Sequence, residues 1–512
     1  MPDVRLTSSQ GKWILFTTVL GSSMALLDST VVNVALPRIG RDLDADLAVL
    51  QWTVNAYLLT LAGLILLGGS LGDHYGRRKV FVVGVVWFAA ASLLCGLAPN
   101  AAVLIAARAL QGVGGALLTP GSLALIQASF HAEDRGRAVG LWSGFGGIGA
   151  AVGPFLGGWL VDGPGWRWVF WLNVPLALVC VPVALRHVPE SSRTRTGDGR
   201  VVGVGSVGEV GGARGKRRAD GGFDALGAFL GALALALVTY ALIEAASGSP
   251  AVVAGAAVAG GAAGVAFVAV ERRSPDPMLP LDIFASRQFT SVNLVTLCVY
   301  AAFGGFFFLC AVQLQVVVGW SALGAGTALL PTTVLMLLLS ARSGELAERI
   351  GPRIPLTAGP LLCAAGMLLM LRVGPGASYA GDVLPGVLVL GVGMVALVAP
   401  LTATVLASVD VSRAGIASGV NNAAARAAGL VAVAALPLLT GMGPEAYRSA
   451  TAFDDAFRKA MVLCAGVLTL GAVIAFTTVR RPPPDCRRPE CRTHGSVLAP
   501  PLEGERARKR LS

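Results

Sequence analysis

Long apolar runs separated by short polar stretches dominate the chain. A helix that crosses a membrane needs about 20 predominantly apolar residues, because each residue advances the helix by only about 1.5 Å. Read with a window of that length, the sequence contains fourteen such runs. They cover residues 13–36, 50–70, 80–98, 101–128, 138–161, 168–186, 223–243, 250–270, 290–317, 322–341, 354–372, 384–407, 413–436 and 460–478. The pattern predicts an all-α polytopic membrane protein.

Composition and charge support lipid as the solvent for most of the surface. Hydrophobic residues make up 54% of the chain and charged residues 13%, whereas an average soluble domain carries about 25% charged residues. The net charge is +11, but the basic residues gather in short loops between apolar runs, so the charge does not indicate a nucleic-acid partner. With both termini in the cytoplasm, the inner loops hold 20 Lys and Arg residues and the outer loops seven. Because basic loops stay inside, we predict a plasma (inner) membrane protein with cytoplasmic termini.

Two sequence echoes indicate an internal repeat. "GSLGDHYGRR" (69–78) resembles "GELAERIGPR" (344–353), 275 positions later, and "RGRAVG" (135–140) is echoed by "RAGIASG" with a shift of 279. This offset spans eight predicted helices, so two helices interrupt a pair of six-helix halves. The predicted organisation is an N-terminal bundle (1–186), a flexible cytoplasmic loop (187–222), two inserted transmembrane helices (223–270), a cytoplasmic linker (271–289), a C-terminal bundle (290–478) and a disordered cytoplasmic tail (479–512).

One acidic residue, Asp28, lies deep in the first apolar run. An ionised carboxylate in hydrocarbon costs about 3 kcal/mol even on lenient insertion scales, so an intramembrane acid indicates function. Asp28 lies about 12 Å from the outer end of its run, near the middle of the membrane. Arg108, beside Gln111 in the fourth run, lies at comparable depth and would lower the cost of that charge. Alternatively, Arg108 extends to the outer surface, about 10 Å away.

Four stretches occur in order in the first, second, fourth and fifth runs: "LDSTVVNVALP", "GGSLGDHYGRRK", "RALQGVGGALLTP" and "GIGAAVGPFLGG". In these four stretches the chain resembles the fourteen-helix drug:proton antiporter branch of the major facilitator superfamily. The resemblance extends from residue 13 to about residue 478. The resemblance implies the major facilitator fold, with two six-helix bundles plus two extra central helices. It also implies that Arg108 takes part in proton coupling, and Asp28 would be the protonatable group.

The fifth run carries a stripe of small residues around a proline. Three glycines spaced by four residues let another helix approach closely, and a proline permits a kink. The family resemblance marks this stretch as an antiporter motif, for which we favour a packing and gating role over ligand contact. The helix-packing residues are Gly149, Gly153, Pro154, Gly157 and Gly158.

The loop after the second run combines an acid, a glycine and basic residues. The preference of basic loops for the cytoplasmic side is enough to explain the basic residues. It does not explain why an acid and a glycine recur at the same offsets in the second half. The resemblance implies that this loop latches the two halves together on the cytoplasmic side. The predicted gate residues are Asp73, Gly76, Arg77, Arg78, Glu348, Gly351 and Arg353.

Polar residues inside other runs are candidates for a central cavity. Arg426 lies about 20 Å along a helix from Arg413, so it is a second deep cation. The tenth run has no acidic residue, unlike relatives with an added acid there, which weighs against export of dications. The predicted cavity residues are Asn33, Gln111, Gln313, Asn421, Asn422 and Arg426.

Enzyme chemistry is not indicated by any motif. The sequence lacks a phosphate-binding loop, a His-rich metal cluster and a nucleophile elbow, and its eight cysteines show no metal-site spacing. We therefore expect a monomeric proton-coupled antiporter that exports amphipathic drugs or antibiotics by alternating access, with a proton gradient in place of a cofactor. The alternatives are a dedicated self-resistance exporter of a single antibiotic or metabolite, an uptake symporter, or a membrane sensor.

Overall fold

The computed structural model describes residues 4–191, 224–246, 248–274, 277–409, 413–443 and 449–479. Sixteen α-helices account for most of this part of the chain, which contains no β-strand. They are α1 (Ser9–Asp42), α2 (Leu47–Tyr75), α3 (Arg77–Leu97), α4 (Ala101–Ser129), α5 (Ala132–Asp162), α6 (Arg167–Trp171), α7 (Asn173–His187), α8 (Ala225–Ile243), α9 (Pro250–Arg273), α10 (Arg287–Val312), α11 (Ala322–Ala328), α12 (Leu330–Ile350), α13 (Arg353–Leu369), α14 (Leu384–Ala407), α15 (Ala414–Thr440) and α16 (Ala450–Thr478). The predicted all-α fold is confirmed.

The helices follow the predicted apolar runs, but some runs are interrupted. α6 and α7 share the sixth run, and α11 and α12 share the tenth. Within the described residues, thirteen helical segments are long and apolar enough to cross a membrane. α5 is not among them, yet its 31 residues extend about 46 Å, more than the hydrocarbon core of about 30 Å. α5 therefore supplies the fourteenth helix of spanning length.

The two polar segments predicted at the domain boundaries fall mostly outside the described residues. α7 ends at His187 and α8 begins at Ala225, close to the predicted limits of the loop 187–222. Residues 192–223 and 480–512, which hold most of that loop and of the predicted tail, are not among those described.

Local sequence fixes where several helices begin. The side chains of Ser8, Asp46 and Asn100 each accept a hydrogen bond from the backbone N–H three residues later, which satisfies a donor that lacks a partner in the first turn. The turns after α2 and α12 depend instead on Gly76 and Gly351, whose φ angles are +109° and +86°. Glycine adopts such angles without a steric penalty, which explains the glycine in both copies of the repeat.

The buried apolar side chains form two clusters, and one of them joins the two halves. The smaller cluster contains only side chains of the N-terminal half and Val188, the first residue after α7. The larger cluster combines side chains from the whole C-terminal half with residues 31–54, 95–107 and 160–170 of the N-terminal half. These three stretches lie at one end of the bundle, which we call the sealed end. The halves therefore share an apolar core at the sealed end.

Hydrogen bonds reinforce the sealed end. Gln315 Nε2, in a π-helical turn after α10, donates to the carbonyl oxygen of Val34 in α1 over 2.9 Å. Gln51 Nε2 in α2 donates to the carbonyl oxygen of Val433 in α15 over 2.6 Å. Each hydrogen bond that joins described residues of the two halves lies at this end. A polar cavity of about 670 Å³ lies beside this seal, and its lining includes Gln315 and Asp162.

Close backbone contact between α5 and α11 completes the seal. Asp162 Oδ2 accepts a hydrogen bond from the backbone N–H of Leu323 over 2.8 Å, and Oδ1 accepts one from Ala322 over 3.2 Å. A Cβ atom on Gly158 would overlap the backbone of Ala322 and Leu323, and one on Gly326 would overlap that of Pro154. Only glycine at these two positions permits the observed separation of α5 and α11.

The inserted helices α8 and α9 form a hairpin beside the two halves. α8 packs against α2 and α15, so it contacts both halves, whereas α9 packs mainly against α8. Trp52 Nε1 of α2 donates to Glu244 Oε1 at the end of α8 over 3.3 Å. Val258 and Val265 on α9 are more than 70% exposed, as expected for side chains that face lipid rather than water.

Candidate proton-coupling and substrate site

Asp28 forms a buried ion pair with Arg108. The two side chains are at most 1% exposed, and Arg108 Nη1 lies 2.5 Å from Asp28 Oδ2. Gln111 Nε2 donates to the other carboxylate oxygen, Oδ1, over 2.7 Å. Arg108 Nη1 also donates to Gln111 Oε1 over 2.6 Å. The three side chains close a triangle, and the alternative in which Arg108 extends to the surface is wrong.

Further polar contacts tie this triangle to α2 and α3. Arg108 Nε donates to the carbonyl oxygen of Thr53 over 3.0 Å, and Gln111 Nε2 donates to Ser92 Oγ over 2.7 Å. The ring of Tyr57 lies under the guanidinium, with Arg108 Cζ 4.4 Å from the ring centroid. A buried charge is tolerated when it is paired and its hydrogen bonds are made, and both charges here meet that condition.

Glycines in the second and fourth runs let α2 and α4 approach closely enough for these contacts. A Cβ atom on Gly112 would overlap Thr60 Oγ1 and the carbonyl oxygen of Tyr57, and one on Gly68 would overlap the backbone of Ala116. Because α2 and α4 lie close together, Arg108 Nε on α4 reaches the backbone carbonyl oxygen of Thr53 on α2. The motif "RALQGVGGALLTP" thus carries both the polar groups and the glycines that position them.

The packing residues of α5 face α1 and the other half. Cβ atoms on Gly149, Gly153 and Gly157 would meet Ser23, Thr30 and Val31 of α1, the last two at overlapping distance. Gly158 lies instead against α11, and the carbonyl of Pro154 lies against Gly326. The stripe therefore packs α5 between α1 of its own half and α11 of the other half.

Three residues predicted to line the cavity make other contacts. Gln111 is fully buried in the ion-pair triangle. Gln313, also fully buried, donates through Nε2 to Asp454 Oδ1 over 2.7 Å and to the carbonyl oxygen of Val373. Asn421 Nδ2 donates to Thr296 Oγ1 of α10 over 2.8 Å. In this conformation the side chains of Gln111 and Gln313 face neighbouring helices of their own half, and a cavity role for them stays a prediction.

The other three cavity candidates retain unsatisfied or exposed polar atoms. Asn33 is half-buried, and its Oδ1 has no hydrogen-bond partner. Asn422 is exposed and makes only a local bond from Nδ2 to the carbonyl of Ser418. Arg426 is half-buried without an ion pair or hydrogen bond to any described residue. These side chains remain available to a ligand.

The structure adds residues that the sequence interpretation missed. The surroundings of the ion pair also include Thr53, Ser92 and Tyr57. Gln51 donates a hydrogen bond that joins the two halves at the sealed end. Asn55 lies one turn from Gln51, is fully buried, and has no partner for either amide atom. The spacing of Gln51 and Asn55 by four residues in an apolar run was the available signal, since it puts two amides on one helix face.

The gate loop after α2 binds its own half in this conformation. Arg77 Nη2 lies 2.7 Å from Asp73 Oδ1. Arg78 donates through its backbone N–H to Glu190 Oε1 over 3.1 Å and through Nη1 to the carbonyl oxygen of Val188. A Cβ atom on Gly76 would lie 2.6 Å from Glu190 Oε1, so the same glycine also makes room for this carboxylate.

The second copy of the gate loop follows α12. Gly351 provides the left-handed turn, and the guanidinium of Arg353 lies 4.3 Å from the ring centroid of Phe476. The side chain of Glu348, also predicted as a gate residue, lies outside the described part of the chain. A latch between the two halves formed by these residues remains a prediction.

Comparison with known proteins adds independent information. The family model described as "Major Facilitator Superfamily" matches residues 18–218 and 213–434. The chain is 36% identical over 486 residues to the puromycin resistance protein pur8 of Streptomyces alboniger, covering 91% of each chain. It is 35% identical over 413 residues to the multidrug resistance protein Stp of Mycobacterium tuberculosis, covering 80% of this chain and 72% of Stp.

A solved structure shares the fold at low sequence identity. It is the bacterial homologue of the human lysosomal transporter Spinster, in an inward-facing and unoccupied conformation. The match covers 93% of this chain and 98% of the other, with a TM-score of 0.62 and 16% identity. This likeness concerns the fold alone.

Proposed function

The chain belongs to the major facilitator superfamily, and we propose that it is a proton-coupled antiporter that exports amphipathic drugs or antibiotics from the cytoplasm. The single observation that carries this proposal is the buried triangle of Asp28, Arg108 and Gln111. It provides one protonatable group at mid-membrane depth. The names of its relatives, a puromycin resistance protein and a multidrug resistance protein, support export as the direction.

Protonation of Asp28 would act as the conformational switch. The ionised carboxylate accepts hydrogen bonds from Arg108 and Gln111 and so holds α1 against α4. A proton neutralises the carboxylate and turns one acceptor oxygen into a donor, which removes the ion pair. Arg108 keeps its bonds to Thr53 and Gln111, while α1 is released from the guanidinium. Proton and substrate then compete by favouring different conformations of the same protein.

The predicted orientation sets the direction of the cycle. With cytoplasmic termini, the sealed end faces the outside and the space between the halves opens to the cytoplasm. The described conformation is then the one that accepts substrate from inside. Each proton that enters along a membrane potential supplies about 2.3 kcal/mol per 100 mV, so no cofactor is required. We further propose that the transporter acts as a monomer.

Proton coupling is testable in inverted membrane vesicles that contain the full-length protein. In vesicles with an acidic interior, a transported compound should release protons as it enters, and an acridine-dye signal for the pH gradient should fall on its addition. A panel of cationic, neutral and anionic dyes and antibiotics provides the compounds. Empty vesicles are the control. Accumulation that persists when a protonophore has removed the pH gradient would contradict proton antiport.

A dedicated exporter of one antibiotic is the second candidate. It is favoured by the similarity to pur8, since that relative is named for resistance to a single compound, puromycin. A susceptibility panel in a host that lacks its own pumps separates the two candidates. Resistance to several unrelated compounds would indicate multidrug export, and resistance to one compound would indicate the dedicated exporter.

Alternating access predicts that the outer seal must break in each cycle. The change Asp162→Ala removes two hydrogen bonds to the start of α11, which we expect to favour the outward-open conformation by about 1 kcal/mol, roughly fivefold in population. Spin labels on Ala102 and Ala380, at the sealed end of the two halves, would report a larger fraction of long distances.

The control for this change is Asp455→Ala, since Asp455 is exposed near the same end on α16 and has no hydrogen bond to a described residue. It should leave the distance distribution unchanged. If the distance distribution of Asp162→Ala is identical to that of the unmodified protein, the two hydrogen bonds that Asp162 accepts from the start of α11 do not stabilise the sealed end.

A further inference from the structure

A deep cation, Arg426, is left without a partner on the seam between the two halves. It lies 12 residues from the start of α15 and 14 from its end, about 18 and 21 Å along the axis. Its side chain is too short to bring the guanidinium to either surface from that depth. No described residue forms an ion pair or hydrogen bond with it, although it is only half-buried.

Helix geometry places Arg426 on the face of α15 that meets the N-terminal half. Val433, seven residues later, accepts the hydrogen bond from Gln51 that closes the seal. Residues seven apart lie on the same helix face, about 10 Å from each other. Asn55 lies on the corresponding face of α2, one turn from Gln51, with both amide atoms unpaired. Two polar groups without partners therefore line the seam just inside the seal.

Arg426 also lies near the surroundings of the proton-coupling triangle. It lies close enough to Tyr57 and Tyr300 to interact electrostatically with both phenol groups. Tyr57 in turn lies under the guanidinium of Arg108. The charges of Asp28 and Arg108 neutralise each other. Among the described residues at this depth, Arg426 therefore carries a positive charge that no acidic side chain compensates. An unpaired charge in such a place is tolerated where it lines a ligand pathway.

We propose that Arg426 binds an anionic group of the exported compound, such as a carboxylate, phenolate or sulfonate. This inference rests on the proposed function and specifies its substrate class as amphipathic anions rather than cations. The guanidinium donates charge-assisted hydrogen bonds to the anion, and the amide of Asn55 lies on the facing helix as a further polar contact. A lipophilic cation finds no acidic counter-charge here, because the only mid-membrane carboxylate among the described residues, Asp28, is already paired.

Two xanthene dyes of opposite charge test this substrate class in a binding experiment. Full-length protein in lipid nanodiscs is titrated into fluorescein, an anion, and into rhodamine 123, a cation, with fluorescence anisotropy as the readout. We expect fluorescein to bind at least about tenfold more tightly than rhodamine 123, the effect of one hydrogen bond to a charged group. Arg426→Gln should remove that preference, while Arg426→Lys, which keeps the charge, should retain most of it.

The matched control is Arg273→Gln, at the exposed end of α9, which should bind both dyes as the unmodified protein does. The proposal is overturned if rhodamine 123 binds as tightly as fluorescein, if fluorescein does not bind, or if Arg426→Gln weakens both dyes equally. Because binding needs no gradient, a protein that binds fluorescein through Arg426 but shows no proton-coupled transport would contradict the proposed antiport and leave the anion site intact.

Discussion

The variant Asp28→Asn should lose proton-coupled export completely while it still inserts into the membrane. Asparagine has nearly the shape of aspartate, and its side-chain oxygen can still accept a hydrogen bond from Arg108. It cannot take up or release a proton, so the switch between ion pair and neutral group is lost. Compound-induced proton release from inverted vesicles should fall to the level of empty vesicles.

Two controls separate this loss from misfolding. The variant Asp455→Asn changes an exposed acid near the outer end and should transport normally. Exchange of bound compound across the membrane without a pH gradient should persist in Asp28→Asn, because the cavity is intact. Export at the normal rate by Asp28→Asn would show that another group carries the proton.

The variant Arg108→Gln should lower the stability of the fold more than Asp28→Asn, in which Arg108 keeps its hydrogen bonds to the carbonyl oxygen of Thr53 and to Gln111. Removing one partner of a buried ion pair leaves the other charge uncompensated, which costs about 3–5 kcal/mol. Here the change also removes the hydrogen bond to the carbonyl of Thr53 and the guanidinium that lies over Tyr57. We expect the thermal unfolding temperature of the purified protein to fall markedly and transport to disappear.

The double variant Asp28→Asn, Arg108→Gln provides the decisive comparison. If the cost arises from an unpaired carboxylate, removing that carboxylate should restore much of the lost stability, though not transport. A double-mutant cycle then gives the coupling between the two residues. Additive losses in the double variant would mean that Arg108 stabilises the fold through its other contacts and that the ion pair contributes little.

Hydropathy predicted the helices well but not all of their limits or breaks. The fifth run was predicted to begin at residue 138, yet α5 begins at Ala132, because its polar first turn is helical without being apolar. The sixth run was predicted as one span, yet it is divided between α6 and α7. Hydropathy measures the preference of side chains for lipid, and the backbone forms or breaks a helix for other reasons as well.

The candidate site was only partly predictable, as Gln313 and Arg426 illustrate. Both are polar residues inside apolar runs, and sequence spacing treats them alike. In the structure, Gln313 donates hydrogen bonds to Asp454 and to the carbonyl oxygen of Val373 within its own half, whereas Arg426 faces the seam and pairs with no residue that the structure describes. The rotation of each helix about its axis decides between these outcomes, and packing against neighbouring helices sets that rotation.

The sequence by itself determined that this protein spans a membrane many times and that Asp28 and Arg108 lie at comparable depth, and it predicted that the two halves are duplicated. These properties follow from the apolar runs and motif spacing, since lipid requires apolar side chains and satisfied backbone groups. Only the tertiary structure decided that the two side chains meet, that Gln111 closes the triangle, and that Arg426 pairs with none of the described residues. Depth is set along one helix, but contact depends on how several helices pack together.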